Sequence, residues 1–184
     1  GADFYFLNPN GVFFGQNSSI DVPKAFHLSA DPSGLFANQM RVVMPSSGLS
    51  EPVLSMAPSE AFGFGSSGLG NITLDGATLF FDAPATSGGG SVTLRAGDIS
   101  LENGAKILAI NRNVKAEATG RIELSGVNVD NQLGAGIDVA NFGGDAAPEK
   151  AIELIGSEVV LGENAYLLTE SVGIECEACA TGQI

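Results

Sequence analysis

The sequence is poor in the residues that most often form sugar-binding, metal and nucleic-acid sites. Its 184 residues include no tryptophan, two tyrosines, one histidine and two cysteines, so few aromatic side chains are available as a platform for a sugar ring. Eight basic residues against 21 acids give a net charge of −13. Nucleic acids and anionic membranes attract positive charge, so we expect neither as a partner. No apolar run approaches the roughly 18 residues that a transmembrane helix needs, so membrane insertion is not expected.

The few residues that could bind a metal or act in catalysis are scattered along the chain. Cys176 and Cys179 form a C-x-x-C pair near the end of the sequence. The spacing is compatible with a local disulfide, free thiols, a redox pair or half of a zinc site. We favour the first two because zinc needs two more ligands. His27 alternates with Phe26 and Leu28 as in a strand, which favours a structural role. The sequence therefore predicts no cofactor.

Glycine, in contrast, is abundant. The chain has 25 glycines and is 44% hydrophobic, a composition typical of an all-β protein with many turns rather than of a helical bundle or a disordered chain. Its length is sufficient for one domain with a substantial core. We therefore predict a single all-β domain over residues 1–184.

From residue 90 onward the sequence repeats with a period of about 30 residues. Each unit has three short apolar segments of two-residue period, separated by glycine, asparagine or aspartate, which indicates strands. Three strands per repeat predict a parallel β-helix, with equivalent strands about 4.8 Å apart and apolar ladders inside. An antiparallel sandwich gives no reason for three segments to repeat together. The coinciding positions are Val92/Ile122/Ile152, Leu94/Leu124/Leu154, Ile99/Val129/Val159, Ala105/Ala135/Ala165 and Ile107/Ile137/Leu167.

The same repeat predicts further stacking. Ile72 is expected to lie in an earlier, shorter unit next to Val92, with the third segment of that unit replaced by the loop 83–90. Asn111 and Asn141 coincide just past the third strand. A stacked asparagine amide can hydrogen-bond its neighbour one coil away, so an asparagine ladder is expected there.

The opening stretch FYFLNPNGVFFG places four phenylalanines around one rigid turn. Proline suits the second position of a type I turn, with asparagine before it and glycine at the fourth position. The residue before a proline is pushed into an extended conformation and so continues the preceding strand. We therefore predict a tight corner between two buried strands, Phe4–Leu7 and Val12–Phe14. The turn consists of Asn8, Pro9, Asn10 and Gly11.

The sequence between this turn and the repeats is less regular. Further strands are predicted at Ile20–Val22 and Phe26–Ser29. Residues 31–68 lose the spacing of the strands and contain four prolines. We interpret residues 31–68 as an excursion from the coil, formed by a hairpin or a pair of loops on its flank.

The opening motif closely resembles the second conserved stretch of the filamentous-haemagglutinin-type secretion domain, or haemagglutination activity domain, of exoproteins exported by two-partner secretion. That family has an apolar run, Asn-Pro-Asn-Gly, an Ile/Val-Phe-Gly triplet and an aliphatic-Asp/Asn-Val strand. The likeness is dense over residues 3–31 and fades to general architecture over 60–170. The matching residues are Phe4–Leu7 with Phe6 and Leu7 next to the turn, the turn Asn8, Pro9, Asn10 and Gly11, the stretch Val12, Phe13, Phe14 and Gly15, and Ile20–Val22 leading to Ala25 and Phe26.

The resemblance implies a right-handed β-helix and a non-enzymatic secretion domain of a large fibrous exoprotein, often an adhesin, that is secreted or held at the cell surface. The implied partner is an outer-membrane transporter whose periplasmic POTRA domains bind the secretion domain while it is unfolded. The implied route crosses the periplasm and outer membrane of a Gram-negative or cyanobacterial type envelope. Family members begin some tens of residues earlier with a cap region, so we expect missing upstream sequence. Residues 1–68 then belong to the secretion domain with its turn and excursion, and 69–184 form the repeating coil.

Two other functions are compatible with a β-helix. A carbohydrate- or receptor-binding module could use the excursion and the later loops as its surface. A polysaccharide-active enzyme needs clustered carboxylates, and the repeat places Glu123 and Glu153 about 5 Å apart in one outward column with Thr93, a spacing compatible with a retaining glycosidase. We interpret them as solvated side chains, because exposed carboxylates lose little by splaying apart. No calcium-binding loop or nonapeptide repeat occurs in the sequence.

Overall fold

We describe the protein from a computed structural model. The structure describes residues 3–20, 22, 24–30, 33–36, 41–43, 59–61, 69–82, 90–127, 134–141 and 151–171. All regular secondary structure in these residues is β-strand. The strands are β1 (Phe4–Leu7), β2 (Val12–Phe14), β3 (Phe26–Ser29), β4 (Ser33–Phe36), β5 (Arg41–Val43), β6 (Ser59–Ala61), β7 (Ile72–Asp75), β8 (Thr78–Asp82), β9 (Ser91–Ala96), β10 (Ile99–Glu102), β11 (Lys106–Ile110), β12 (Asn113–Ala118), β13 (Arg121–Leu124), β14 (Gly136–Asn141), β15 (Ile152–Ile155), β16 (Glu158–Leu161) and β17 (Tyr166–Ser171).

Most of these strands form three parallel sheets that the chain visits in turn. Sheet 1 has the order β1-β3-β9-β12-β15, sheet 2 has β2-β7-β10-β13-β16, and sheet 3 has β8-β11-β14-β17. We number the coils accordingly: coil 1 contains β1 and β2, coil 2 contains β3, β7 and β8, and coils 3, 4 and 5 contain β9–β11, β12–β14 and β15–β17. The fold is a parallel β-helix with three strands per turn, as predicted. Its right hand, the hand of nearly all parallel β-crossovers, stays a prediction.

The core lies inside the coil because alternate residues of each strand point inward. Leu74, Leu101 and Leu124 follow one another across sheet 2 and are fully buried. The residues that alternate with the buried ones along each strand, such as Thr73 and Ser100, are polar and only partly buried. This alternation is the two-residue period that the sequence shows, and it makes each coil depend on its neighbours for burial.

The ladder in sheet 3 has the uniform spacing that was predicted. Ile107 pairs with Ile137, and Ile137 pairs with Leu167. Both isoleucines are buried. The expectation for this set of residues is confirmed.

In sheet 1 the uniform period is wrong. Val92 pairs with Val114, and Val114 pairs with Ile152, so a short step along the chain is followed by a long one. Ile122, which was expected between Val92 and Ile152, lies in sheet 2 and pairs with Ile99. Together the short and the long step equal two predicted periods. Val92 and Ile152, two coils apart, therefore lie in the same ladder as predicted, but the residue between them is Val114 and not Ile122.

The ladder predicted from Ile99 through Val129 to Val159 is wrong in the same way. Ile99 pairs with Ile122, and Ile122 pairs with Val159. The intermediate rung is therefore Ile122, whereas Val129 lies outside the described residues. Here too the two outer members of the predicted set share a sheet, and the middle one was assigned to the wrong segment.

The missed element is β12. Its sequence NVKAEA is rich in charge and uses alanine on its inner face, where Ala116 pairs with Leu94 and is buried. The sequence therefore gives a weak strand signal at this point. Because β12 opens coil 4, Leu124 belongs to the second strand of its coil, and the predicted ladder Leu94/Leu124/Leu154 is also wrong: Leu154 pairs with Ala116.

The stacking predicted for the earlier unit is wrong for a related reason. Ile72 pairs with Ile99 in sheet 2, not with Val92. The first strand of coil 2 is β3, which the excursion separates from β7 along the chain, and β8 provides the third strand. No segment of this coil is therefore replaced by a loop. The backbone N–H of Asn111 donates to the carbonyl of Ala140 at 2.7 Å, but the Asn141 side chain lies outside the described residues, so the asparagine ladder stays a prediction.

The excursion contains an antiparallel sheet. Strand β4 pairs with both β5 and β6, in the order β5-β4-β6, and all three lie between β3 and β7 in the chain. Of the two alternatives predicted for this excursion, a hairpin or a pair of loops, the described residues form antiparallel strands as in a hairpin.

The strand predicted at Ile20–Val22 is not formed by its described residues. Ile20 and Val22 belong to no ladder, although Val22 is buried and Ile20 packs against the core. The apolar spacing therefore predicts burial correctly here but not pairing. Among the described residues, coil 1 contributes no strand to sheet 3.

The inner ladder of sheet 2 makes a first prediction. Leu101→Ala is expected to lower the free energy of unfolding by about 2–5 kcal/mol. The substitution leaves a cavity between Leu74 and Leu124, whose strands are held on both sides by the sheet and cannot collapse into it. Ser100→Ala, one residue away on the outer face, removes one hydrogen bond to Thr73 and is expected to cost less than about 1 kcal/mol. Urea unfolding of the two variants tests this, and equal losses would contradict the assignment of inner and outer faces.

Candidate functional site

The Asn8–Gly11 segment forms a closed turn. The backbone N–H of Gly11 donates to the carbonyl of Asn8 at 3.0 Å, and the N–H of Asn10 donates to the Asn8 side-chain Oδ1 at 3.1 Å. Asn10 keeps a negative φ while Gly11 adopts a φ of +92°. This combination matches a type I turn with Pro9 at its second position.

The turn is packed against the next coil. The N–H of Val12 donates to the carbonyl of Asn71 at 2.9 Å. A Cβ on Gly11 would lie 2.5 Å from that carbonyl oxygen, and a Cβ on Gly70 would lie 2.1 Å from the Gly11 nitrogen. Both positions therefore require glycine, and Gly11 requires it a second time because of its positive φ.

The same corner repeats down the helix. The Asn71 Oδ1 accepts the N–H of Asp98 at 3.0 Å, and the Asp98 Oδ1 accepts the N–H of Arg121 at 2.7 Å. Alongside, the N–H of Gly97 donates to the carbonyl of Gly70 at 2.9 Å. The Asn-Pro-Asn-Gly turn is thus a member of a column of corners. Sequence reasoning missed this column, although the recurring pairs Gly70-Asn71, Gly97-Asp98 and Gly120-Arg121 signal it.

The strands that flank the turn are more exposed than predicted. Phe4 is 47% exposed and Phe6 is 41% exposed, although their partners in β3, Phe26 and Leu28, are fully buried. Phe4 and Phe6 therefore occupy core-facing positions of coil 1, which has no further coil above it among the described residues. The prediction of two buried segments is wrong, because burial in a β-helix needs a neighbouring coil on each side.

Two concave surfaces lie next to the turn. An apolar cavity of about 400 Å³ opens at the end of coil 1. A more polar groove of about 450 Å³ runs between the turn and the corner of coil 2. Phe13 lies at this groove and is 65% exposed, since it points outward opposite Thr73. The apolar cavity is lined by Phe4, Phe6, Val12, Phe14, Ser19, Ile20, Val22, Phe26 and Leu28.

His27 lies on the outer face of sheet 1, directly opposite Tyr5. The two rings stack with centroids 4.5 Å apart and an interplanar angle of 12°. Desolvation lowers the pKa of His27 below its usual 6.5; the nearby Asp3 opposes this shift and Arg95 adds to it. His27 is therefore a stacked, largely neutral strand residue at neutral pH.

The carboxylate column considered for a glycosidase is not formed. Glu153 pairs with Lys115 in sheet 1, and their side chains form an ion pair of 3.3 Å. Glu123 lies in sheet 2 opposite Ser100. The prediction that Glu123 and Glu153 share one column with Thr93 is wrong, because β12 intervenes.

A charged cluster occupies the outer face of sheet 1 instead. Lys115 Nζ lies 2.6 Å from Glu117 Oε1, and Arg95 also pairs with Glu117. Burial raises the pKa of Glu117, but the hydrogen bonds from Lys115 and Arg95 outweigh it and lower the pKa overall. These pairs link coils 3, 4 and 5 and describe a structural surface.

The remaining chemical features add no site. Among the described residues, no group of three or more His, Cys, Asp and Glu side chains could hold a metal ion. Cys176 and Cys179 lie outside the described residues, so their disulfide stays a prediction. In the part of the chain that the structure describes, no helix is long and apolar enough to cross a membrane.

The fold and its first coil define a class of protein: a β-helical domain with an Asn-Pro-Asn-Gly corner and an antiparallel sheet inserted in the second coil. The family model of the TPS secretion domain matches residues 1–162. The chain therefore belongs to the TPS secretion domain family and is part of a two-partner secretion exoprotein, a class exported through the outer membrane to the cell surface. No curated protein and no solved structure matches the chain.

The close approach at the turn makes a second prediction. Gly11→Ala is expected to cost about 1–3 kcal/mol of unfolding free energy, because it adds backbone strain at a positive φ and a contact with the Asn71 carbonyl. Gly15→Ala is the control, since its Cβ would meet only the Phe13 ring, at 3.3 Å. Chemical denaturation measures both. A Gly11 variant as stable as the Gly15 variant would contradict the packing described here.

The lowered pKa of His27 makes a third prediction. Because the folded state disfavours the protonated ring, its contribution to stability is complete above pH 6.5 and declines as the pH falls below that value. When the pH is lowered from about 7.5 to about 5.5, the melting temperature of the wild type should decrease. The melting temperature of His27→Gln should decrease less over the same interval. The acidic groups are common to both proteins, so the difference reports His27. Identical pH profiles would contradict the assignment.

Proposed function

We propose that the chain is the segment of its exoprotein that the outer-membrane transporter recognises, and that its folded coils act as the template on which the following chain winds. Membership of the TPS secretion domain family supports the first part. The parallel ladders between successive coils support the second, because such a stack grows one coil at a time on an existing edge. The observation that carries the proposal is the stacking of the Asn-Pro-Asn-Gly turn on the column of corners.

The far side of coil 5 has the character of a template. Val159 and Leu161 pair with the buried Ile122 and Leu124, so they occupy core-facing positions, yet they are 44% and 49% exposed. A further coil placed on them buries this apolar surface and pairs the edge strand. Free energy released by folding outside the cell disfavours return of the chain through the transporter.

The turn itself has two candidate roles. The column formed by Asn71, Asp98 and Arg121 supports a structural role, in which the turn holds the corner of coil 1 in register with the corners of coils 2, 3 and 4. The exposed Phe13 and the groove beside it support a second role as a contact for the transporter. In this proposal the POTRA domains of the transporter bind the chain before it folds. The contact with the transporter therefore comes first and the structural role follows.

We extend the proposal to the whole protein as follows. The exoprotein is an adhesin that is secreted or displayed on a Gram-negative or cyanobacterial type surface, where it meets a receptor or glycan. The present chain is one β-helical domain, with residues 1–68 carrying the motif and the excursion and 69–184 forming the coil. A carbohydrate- or receptor-binding module is the alternative, with the antiparallel sheet as its surface. A polysaccharide-active enzyme is less well supported, because the carboxylate pair considered for it is not formed.

Secretion of the full-length exoprotein tests this proposal. Asn10→Ile, expressed with the cognate transporter, is expected to reduce the secreted protein several-fold, because it removes a polar residue from the turn that forms the corner of coil 1. Gln16→Ile, an amide replaced on a neighbouring exposed turn of the same coil, is the matched control. Secreted and retained protein are quantified in parallel with the melting temperature of each variant.

The two roles of the turn give different results. Reduced secretion with unchanged melting assigns the turn to transporter contact, and reduced secretion with lower melting assigns it to corner geometry. Unchanged secretion and melting would contradict both. Wild-type export that persists without the transporter would overturn the proposed function itself.

A further inference from the structure

Arg112 is a buried arginine in the connection from β11 to β12, and it is 2% exposed. One of its terminal nitrogens, Nη2, donates to the carbonyl of Val22 at 2.8 Å and to that of Asp82 at 3.0 Å. The other, Nη1, donates to the carbonyl of Lys24. One guanidinium group thus holds three backbone carbonyls inside the protein.

Two of these carbonyls, those of Val22 and Lys24, belong to described residues that form no strand ladder. Val22 and Lys24 lie on the path from β2 to β3, where, among the described residues, coil 1 contributes no strand to sheet 3. Asp82 is the last residue of β8, the strand of coil 2 in that sheet. The guanidinium therefore supplies hydrogen-bond donors on the side of coil 1 where a third strand would otherwise supply them.

The three contacts are distant in sequence and all point backward along the chain. Arg112 is 88 residues after Lys24, 90 after Val22 and 30 after Asp82. The donors can reach these carbonyls only when the chain has been wound through coil 3. A buried arginine is tolerated because its planar group is hydrogen-bonded, and its rigid fork fixes the relative positions of the groups that it binds.

We propose that Arg112 is a latch that closes coil 1 after coil 3 has formed. The coil that carries the Asn-Pro-Asn-Gly turn then stays open while the next coils are wound, and it becomes rigid when Arg112 arrives. This consequence for export rests on the proposed function: the motif is available to the transporter early and withdrawn from it late. The order of folding is a property of the chain alone.

Pulse-labelling hydrogen exchange during refolding of the whole chain tests the order. Amides in residues 4–14 and 24–30 are expected to gain protection together with or after those in 106–118. Full protection of residues 4–14 and 24–30 before residues 106–118 are protected would overturn the latch. The experiment needs no transporter, so its result is independent of the secretion assay.

Native-state hydrogen exchange of variants tests the contact. Arg112→Met is expected to accelerate exchange in residues 4–14 and 24–30 by about tenfold or more and to leave residues 99–110 within about twofold of the wild type. Arg121→Met is the matched control, because it removes the same charge from a side chain that is 44% exposed and pairs with Glu123 and Glu158.

The outcomes separate a latch from a general stabiliser. Acceleration confined to residues 4–14 and 24–30 supports the proposal, whereas unchanged exchange or equal acceleration in every strand overturns it. If Arg112→Met does not fold, the same exchange measurement is made on Arg112→Lys. A lysine keeps the positive charge but cannot donate hydrogen bonds to all three carbonyls in the geometry of the guanidinium. It is expected to show the same pattern at a smaller amplitude.

Discussion

The structure depends on the pairing of each short strand with its equivalents in the coils above and below. A strand of three to six residues cannot be stable alone, and its inward side chains are buried only when a neighbouring rung covers them. Leu101 shows the favourable case, because it lies between Leu74 and Leu124 and is fully buried. Phe4 shows the unfavourable case: it occupies an equivalent core-facing position, pairs only with Phe26 among the described residues, and is nearly half exposed. Stability is thus a property of the stack, and it is lowest where the stack is incomplete.

The corners impose the second constraint. Backbones of successive coils approach one another closely where sheet 1 passes into sheet 2, so Gly11 and Gly70 are needed there. Beside the glycines of coils 2 and 3, Asn71 and Asp98 each accept a backbone N–H from the next coil. The Asn-Pro-Asn-Gly turn is the version of this corner in coil 1, with a proline that limits the flexibility of the unfolded chain. A motif that identifies the family therefore also has a clear physical role in the folded state, which is why its structural and recognition roles have to be separated by experiment.

The two proposals connect these constraints to export. A β-helix that grows by addition of coils winds each coil on an earlier one, and coil 1 has the fewest strand partners among the described coils. Arg112 offers a solution in which a later coil stabilises the first one through three carbonyls. Coil 1 can then remain open during the early part of export and contribute to stability once the stack has advanced.

Much of the fold follows from local sequence, because alternation of apolar and polar residues is a property of each strand by itself. It predicts β7, β9 and β10, and turn chemistry with the resemblance predicts the corner at Asn8–Gly11. The register, the exposure of the flanking phenylalanines and the contacts of Asn71 and Arg112 could not be predicted. Register depends on the lengths of the connections between strands. The strand β12, which has alanines on its inner face, is not recognisable as a strand from its sequence, so the lengths of the connections on either side of it could not be predicted. Two features are decided only by the tertiary structure: the pairing of Val92 with Val114, and the hydrogen bonds of Arg112 to carbonyls near the start of the chain. Each joins residues that are far apart in the sequence, and no local sequence pattern predicts which distant residues will meet.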